Sequence, residues 1–165
     1  MSLFSKFIKK PECSINVDDN AIVAVCSGTI IPNKDISDST FADNLIGKTI
    51  GIEPTGNEIC SPINGKIEMI ANGGHAFGIK ANNGTGILVH IGIDTVKMHG
   101  SCFKILKKQG EYVKAGEVII KVDFDAIKKA SYPCTTMIII AEPVDNIAYN
   151  FISPSVVKKG QIISE

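Results

Sequence analysis

Two histidines, His75 and His90, are the side chains of this 165-residue chain best suited to chemistry. A histidine with the ordinary pKa of about 6.5 is mostly neutral at neutral pH, so its imidazole can bind a metal or act as a nucleophile. Both lie beside glycines in apolar runs, with Asn82-Asn83-Gly84 between them. Such a turn between apolar runs predicts a β-hairpin with one histidine on each strand. One histidine alone would more often be an ordinary surface or core residue, but the pair favours a functional site.

The register of this hairpin decides whether the two histidines share a face. A two-residue turn at Asn83-Gly84, or a four-residue loop from Asn82 to Thr85, would make them diagonal neighbours with Cα atoms about 7–8 Å apart. A two-residue turn at Asn82-Asn83 would place them directly opposite each other. Only a three-residue loop would put them on opposite faces. We predict a register that brings the imidazoles together, for metal ligation or for nucleophilic catalysis.

The composition narrows the functions open to the chain. Its 17 basic residues are all lysines, and 17 acidic residues balance them to a formal net charge of zero. A neutral chain lacks the positive surplus that drives binding to nucleic acid, so we predict no nucleic-acid partner. Without arginine there is no bidentate guanidinium for phosphate. Any phosphate chemistry would depend on histidine, lysine, hydroxyl and backbone N–H groups.

The cysteines and the hydropathy pattern indicate in which cellular compartment the protein acts. The five cysteines are odd in number, widely spaced and free of C-x-x-C pairs, which argues against a disulfide framework or a zinc ribbon. Even the longest uninterrupted apolar stretches, such as residues 21–26 and 137–141, are far too short to span a bilayer, and the N-terminus does not resemble a secretory signal. We therefore predict a cytoplasmic protein.

Short apolar runs alternate with turn residues from Asn20 onward, which predicts an all-β fold. The expected architecture is an antiparallel β-sandwich, barrel-like, with short helical turns. The predicted strands cover residues 21–25, 48–52, 66–71, 76–81, 86–91, 103–107, 118–122, 136–141 and 161–164. A helical turn is predicted over residues 123–131, capped by Asp123. Residues 14–165 show no boundary and are predicted to form a single domain.

Residues 1–13 differ from the rest and are predicted to be an amphipathic tail. Leu3, Phe4, Phe7 and Ile8 fall on one face at helical spacing, and Pro11 ends the pattern. Such a segment could make peripheral contact with an anionic membrane surface. A frayed terminus or a helix docked on the domain fits the pattern equally well.

Five segments form a recognisable set of motifs. They are D-I-S-D-S-T-F-A-D at residues 35–43, G-I-E-P-T-G-N at 51–57, S-P-I-N-G-K-I at 61–67, H-A-F at 75–77 and H-I-G-I-D-T-V at 90–96. With these motifs the chain resembles the glucose-type enzyme IIA of the bacterial phosphoenolpyruvate-dependent sugar phosphotransferase system. The last segment is the most specific, and the resemblance covers essentially the whole sequence.

The resemblance implies a phosphoryl relay. His90 corresponds to the residue that accepts a phosphoryl group on Nε2 from the histidine phosphocarrier protein and passes it to a cysteine of an enzyme IIB domain during sugar uptake. His75 corresponds to the histidine that supports this transfer. For Nε2 to attack, Nδ1 should carry the proton and donate to a carbonyl, which Gly92 or a neighbour could supply.

The resemblance also implies a docking surface and no obligatory cofactor. The corresponding residues are apolar or acidic: Asp38, Phe41, Leu45, Ile46, Leu88, Asp94 and Val96. From the sequence alone, the apolar members would be interpreted as core. His75 and His90 could hold zinc weakly when a partner supplies a carboxylate. Gly73 departs from the family pattern, which usually has a hydroxyl residue there, and this predicts weaker support for His75.

Two alternative functions compete with the relay. His90 and Asp94 have the spacing of the first ligands in lysostaphin-like zinc peptidases, but the required H-x-H is missing because His99 stands alone. A regulatory binding module that has lost transfer is disfavoured by the presence of both histidines and both aspartates. Regulatory targets are a further class of partner that the resemblance implies.

Overall fold

The computed structural model describes residues 16–165, so the predicted tail at residues 1–13 lies outside the described residues. Within this range the strands are β1 (Gly28–Ile31), β2 (Lys48–Pro54), β3 (Glu58–Cys60), β4 (Gly65–Ile70), β5 (Ala76–Ala81), β6 (Gly86–Ile91), β7 (Phe103–Ile105), β8 (Tyr112–Val113), β9 (Val118–Val122), β10 (Thr136–Glu142) and β11 (Val156–Val157). The helices are α1 (Ser39–Ala42) and α2 (Phe124–Lys129), with 3₁₀ turns at Asn33–Asp35 and Thr95–Met98.

These strands form two antiparallel sheets. The larger has eight strands in the order β11-β1-β2-β10-β6-β5-β4-β8, and the smaller has three in the order β3-β9-β7. The main core cluster takes side chains from both sheets, including Ile79 and Val89 from the larger and Ile120 from the smaller. The predicted all-β antiparallel class is therefore confirmed.

Most of the predicted strands are present. Three match their observed bounds, namely residues 76–81, 86–91 and 118–122, and those predicted from 48, 66, 103 and 136 match to within a few residues. The sequence did not predict β1, β3, β8 and β11, which have only two to four residues each. Segments this short hold too few residues to show an alternating pattern.

The two strands predicted at residues 21–25 and 161–164 are wrong. The segments pair in one isolated bridge, between Val23 and Ile162. The first segment is hydrogen-bonded on both sides, because the Val23 N–H donates to the Pro62 carbonyl and the Ala24 N–H to the Gln161 carbonyl, but the pairing does not extend into a ladder. These apolar runs fill the core without forming a continuous ladder, and the hydrophobic pattern does not distinguish the two cases.

The hairpin of β5 and β6 has a register that the sequence did not predict. His90 faces Ala76, which requires a three-residue loop. The Ala81 N–H donates to the Thr85 carbonyl at 2.8 Å across this loop, and Gly84 adopts a φ of +95°. A tight turn followed by a left-handed glycine is a common three-residue hairpin connection.

Side-chain caps begin both helices. Asp123 accepts a hydrogen bond from the Ala126 N–H at 3.0 Å, which confirms the predicted cap of α2. Asp38 caps α1 in the same way, accepting from the Thr40 N–H at 2.8 Å. In the part of the chain from residue 16 onward, no helix has the length and apolar character needed to cross a membrane.

Candidate active site

His90 lies near the end of β6 with one ring nitrogen fixed by the backbone. Its Nδ1 is 2.7 Å from the Gly92 carbonyl oxygen. Because a carbonyl oxygen only accepts hydrogen bonds, the neutral ring carries its proton on Nδ1 and donates it to Gly92. Nε2 then keeps its lone pair and is the nitrogen that can act as a nucleophile.

Gly92 holds this carbonyl through a backbone conformation that few other residues adopt. Its φ is +72°, and a Cβ placed there would lie 2.4 Å from Thr95 Cγ2 and 2.9 Å from the Pro133 carbonyl oxygen. The Thr95 hydroxyl donates to the Ile91 carbonyl, and the Ile93 N–H donates to Pro133 at 3.0 Å. Two anchors therefore fix the backbone on either side of Gly92. The motif at residues 90–96 contained Thr95, but its type alone did not reveal this role.

His75 lies beside His90 although the register alone would separate them. The ring centroids are 5.6 Å apart and the ring planes meet at 71°. Residue 75 precedes the first residue of β5 and follows Gly73 and Gly74, whose φ angles are +94° and +93°. The alternation of faces applies only within a strand, so this bend lets His75 reach the face that His90 occupies. The Ile91 N–H donates to the His75 carbonyl at 2.8 Å and ties the bend to β6.

Gly73 packs against the neighbouring loop. A Cβ on Gly73 would lie 3.3 Å from the Gly100 nitrogen, and a Cβ on Gly100 would lie 3.1 Å from Gly73 Cα. With a φ of +94° as well, this position does not suit the hydroxyl residue that the family pattern usually has. A threonine introduced at Gly73 would therefore strain the bend in addition to adding a hydroxyl. The contact with Gly100 was not expected from the sequence.

Burial keeps both imidazoles neutral. It lowers the pKa of His90 below 6.5, while the hydrogen bond to Gly92 acts in the opposite direction. Nearby His75 lowers the His90 pKa further, and the carboxylates of Asp38 and Asp94 raise it. Burial also lowers the pKa of His75, against a hydrogen bond with the Asn72 backbone. At neutral pH the site therefore presents two neutral rings beside two acidic side chains.

These lowered pKa values predict how stability depends on pH. Between 6.5 and the folded-state pKa, the unfolded chain binds more protons than the folded chain, so folding stability falls as pH decreases through this window. Above 6.5 the contribution of the two histidines is fully present. We expect the urea midpoint to fall on acidification below 6.5, and to fall less when both are replaced by glutamine. The exposed His99→Gln variant is the control, and an unchanged slope in the double variant would contradict the expectation.

The predicted apolar docking residues differ in how exposed their side chains are. Leu45 and Val96 are 71% and 54% exposed, and Ile46 is exposed as well. Leu88 is half-buried on the same face as His90, two residues earlier in β6. Phe41 differs, because it is only 6% exposed and its ring centroid lies 5.1 Å from that of His90. The Phe41 ring packs against the His90 imidazole. The other four apolar side chains are exposed or half-buried and together form the apolar surface.

The two acidic members border the same surface. Asp38 is half-buried and caps α1. Asp94 is exposed at a φ of +61°, and its carboxylate lies 3.9 Å from the Lys97 amine. Asp38 caps the helix that contains Phe41, Asp94 lies two residues after Gly92, and both carboxylates raise the pKa of His90. An exposed apolar surface with an acidic rim fits a protein partner that carries basic groups.

Metal ligation has little support in this arrangement. Among residues 16–165, no three histidine, cysteine, aspartate or glutamate side chains are grouped so that they could hold a metal ion. His99 is exposed in the loop after the second 3₁₀ turn, with a φ of +52°. The third ligand of a zinc peptidase is therefore missing from the described site, and this alternative is not favoured.

The fold and the site together define a class of protein. An antiparallel β-protein holds a neutral histidine with a free Nε2, a second histidine beside it, and an exposed apolar surface with an acidic rim. Four surface cavities of the described residues are lined by other side chains, and none of the four includes His75 or His90. The exposed surface around a nucleophilic histidine fits a group carrier that exchanges its cargo with other proteins.

Comparison with known proteins identifies the family. The family model for the phosphoenolpyruvate-dependent sugar phosphotransferase system, EIIA 1, matches residues 20–145. The chain belongs to this family, and it is a phosphotransferase component that carries phosphoryl groups in sugar uptake.

Individual relatives match this chain over most of their own length. The glucose-specific EIIA component of Staphylococcus aureus (strain COL) is 34% identical over 143 residues, which cover 87% of this chain and 86% of the relative. That of Bacillus cereus is 37% identical over 123 residues, or 74% of each chain. The solved structure of glucose permease IIA from Mycoplasma capricolum matches with a TM-score of 0.82 at 30% identity, covering 87% of this chain and 93% of that one.

Proposed function

We propose that His90 is the phosphoryl acceptor of this carrier and that its Nε2 forms the phosphohistidine. The observation that supports this most directly is the 2.7 Å hydrogen bond between Nδ1 and the Gly92 carbonyl, which leaves Nε2 unprotonated. Nε2 attacks the phosphorus of the donor phosphohistidine as the donor N–P bond breaks, and the electrons of that bond return to the donor imidazole. Because such a displacement depends mainly on position and charge, little acid–base chemistry is required.

His75 supports this transfer as a hydrogen-bond donor. Its ring centroid is 5.6 Å from that of His90, close enough for a ring N–H to reach an oxygen of a phosphoryl group on Nε2. A neutral ring has one N–H, which His75 gives to the Asn72 backbone, so a bond to the phosphoryl group uses the second ring nitrogen and requires the protonated ring. The negative charge of the phosphoryl group favours that protonation.

The partners follow from the family and the surface. We propose that the histidine phosphocarrier protein is the donor, that a cysteine of an enzyme IIB domain is the acceptor, and that both dock on the apolar surface around His90. The chain is expected to act in the cytoplasm, where such partners would meet it. No cofactor is required by this reaction. The imidazoles could bind zinc weakly when a partner contributes a carboxylate.

Mass spectrometry of a reconstituted relay tests the proposed function. The chain is incubated with phosphoenolpyruvate, enzyme I and the phosphocarrier protein. We expect one acid-labile phosphoryl group per chain, located on the peptide that contains His90. A chain that stays unlabelled, or a label on another residue, would overturn the assignment.

The acidic rim predicts a salt-dependent rate of transfer from the donor. An Asp94→Asn exchange removes one carboxylate beside the site and should lower kcat/KM for the phosphocarrier protein about three-fold at low salt. The difference should vanish near 0.5 M salt, where the Debye length is only a few ångströms. An Asp145→Asn exchange alters an exposed carboxylate after β10 and serves as control. Equal salt dependence in wild type and the Asp94 variant would refute electrostatic steering.

A further inference from the structure

A β-bulge in β4 changes the face on which Met69 lies. Ile67 pairs with Ile79, but the next pair joins Met69 to Gly78, so Glu68 is an extra residue in the ladder. Ile67 and Ile79 point into the core. In a regular strand Met69 would share their face, because residues two apart point the same way. The bulge instead puts Met69 on the opposite, outer face, and bulges near active sites often re-aim a side chain in this way.

Met69 thereby joins the face that carries His90. Gly78 pairs with Met69 on one side and with Leu88 on the other, so the three residues form one row across β4, β5 and β6. A Cβ on Gly78 would lie 3.1 Å from Met69 Cγ and 3.5 Å from its Sδ. The thioether therefore lies over Gly78, toward Leu88, and the side chain is 40% exposed. The apolar surface continues from Leu88 to Met69 without an intervening side chain.

The position of Met69 lies within reach of any protein that docks on His90. Two strand spacings and two residues along the strand separate them, which amounts to about 12 Å at Cα. A standard interface covers about 800 Å² on each partner, which corresponds to a radius of about 16 Å. A partner that brings a reactive group to Nε2 would therefore also cover Met69.

We propose that Met69 is a docking residue for the phosphocarrier protein, where it receives an apolar side chain flanked by basic groups. This proposal rests on the proposed function of His90. The apolar contact follows from the exposed thioether, which adapts its shape to different neighbours. The basic flank follows from charge, because the neighbour of Met69 in the bulge, Glu68, is an exposed carboxylate. Met69 strengthens binding of the phosphocarrier protein and takes no part in the phosphoryl transfer itself.

The experiment compares binding with transfer in matched variants. Met69→Gln keeps the length of the side chain but makes it polar, and Met69→Leu keeps it apolar. Val156→Gln is the control, since Val156 is 79% exposed on β11 of the same sheet, four strands and about 19 Å from β6. The dissociation constant of each chain for the unphosphorylated phosphocarrier protein is measured by calorimetric titration. KM and kcat are then measured with the phosphorylated donor.

We expect Met69→Gln to weaken binding and raise KM about five-fold with kcat unchanged, and Met69→Leu to restore most of the affinity. Val156→Gln should bind like the wild type. A Met69→Gln chain with wild-type affinity, or one impaired only toward the enzyme IIB domain, would overturn the docking role. If wild type binds the donor but never acquires phosphate, the proposed function fails while the titration still decides the docking role. Absence of any binding by the wild type would overturn both.

Discussion

The His90→Gln chain is expected to acquire no phosphoryl group from the phosphorylated donor. Glutamine can still donate its amide N–H to the Gly92 carbonyl, so the local backbone should keep its shape. It has no nitrogen lone pair comparable to that of imidazole Nε2, because the amide lone pair is delocalised into the carbonyl. The phosphoramidate therefore cannot form, and the loss should be complete within detection rather than partial.

Two controls make this result specific. Intact-mass measurement is repeated with His99→Gln, which alters an exposed histidine outside the site and should leave labelling unchanged. The urea midpoint of His90→Gln should lie close to that of the wild type, since the ring is only partly buried. Wild-type labelling of the His90→Gln chain would show that another residue is the acceptor.

His75 should behave differently from His90 if it only supports the transfer. In His75→Ala, His90 is still labelled, but transfer is slowed about 100-fold, as is typical when one hydrogen-bond donor to a developing charge is lost. His75→Gln restores an N–H donor and should recover part of the rate. Equal rates for the two variants would indicate that the ring acts by packing alone.

The sequence predicted that His75 and His90 lie together, but not how they meet. The Gly92 carbonyl was also among the acceptors expected for Nδ1 of His90. The predicted hairpin register was wrong, however, and with the observed register a regular strand would have separated the histidines. They meet because the backbone bends at Gly73 and Gly74, outside the range where alternation holds. The alternation of side chains between two faces describes regular strands, whereas the meeting of the two histidines depends on a bend outside the strand.

The same limit applies to the rest of the fold. Long strands such as β5, β6 and β10 were found because their burial alternates or continues over six or seven residues. The bulge at Glu68 leaves no signal in residue types, since it is defined by pairing with a distant strand. The apolar residues 21–25 contact two different segments, and no local pattern reveals how a buried run divides its hydrogen bonds.

Gly92→Ala is expected to damage both stability and transfer. A residue with a Cβ pays about 1 kcal/mol or more for the left-handed conformation. The added carbon would also lie 2.4 Å from Thr95 Cγ2 and 2.9 Å from the Pro133 oxygen, a backbone atom that cannot move aside cheaply. Together these effects should cost about 2–3 kcal/mol of unfolding free energy. Displacement of the Gly92 carbonyl should slow transfer about 100-fold even where the chain is folded.

Gly110→Ala separates the two causes, because Gly110 has a φ of +92° but no atom within 4 Å of the added Cβ. It should lose only the conformational part, about 1 kcal/mol, and should transfer phosphoryl groups at the wild-type rate. Unfolding free energies are measured in urea, and transfer rates are measured under conditions where each chain is fully folded. If Gly92→Ala lost no more stability than Gly110→Ala, the contacts around Gly92 would not be restrictive. If it then also kept the wild-type rate, the Gly92 carbonyl would not be what orients His90 for attack.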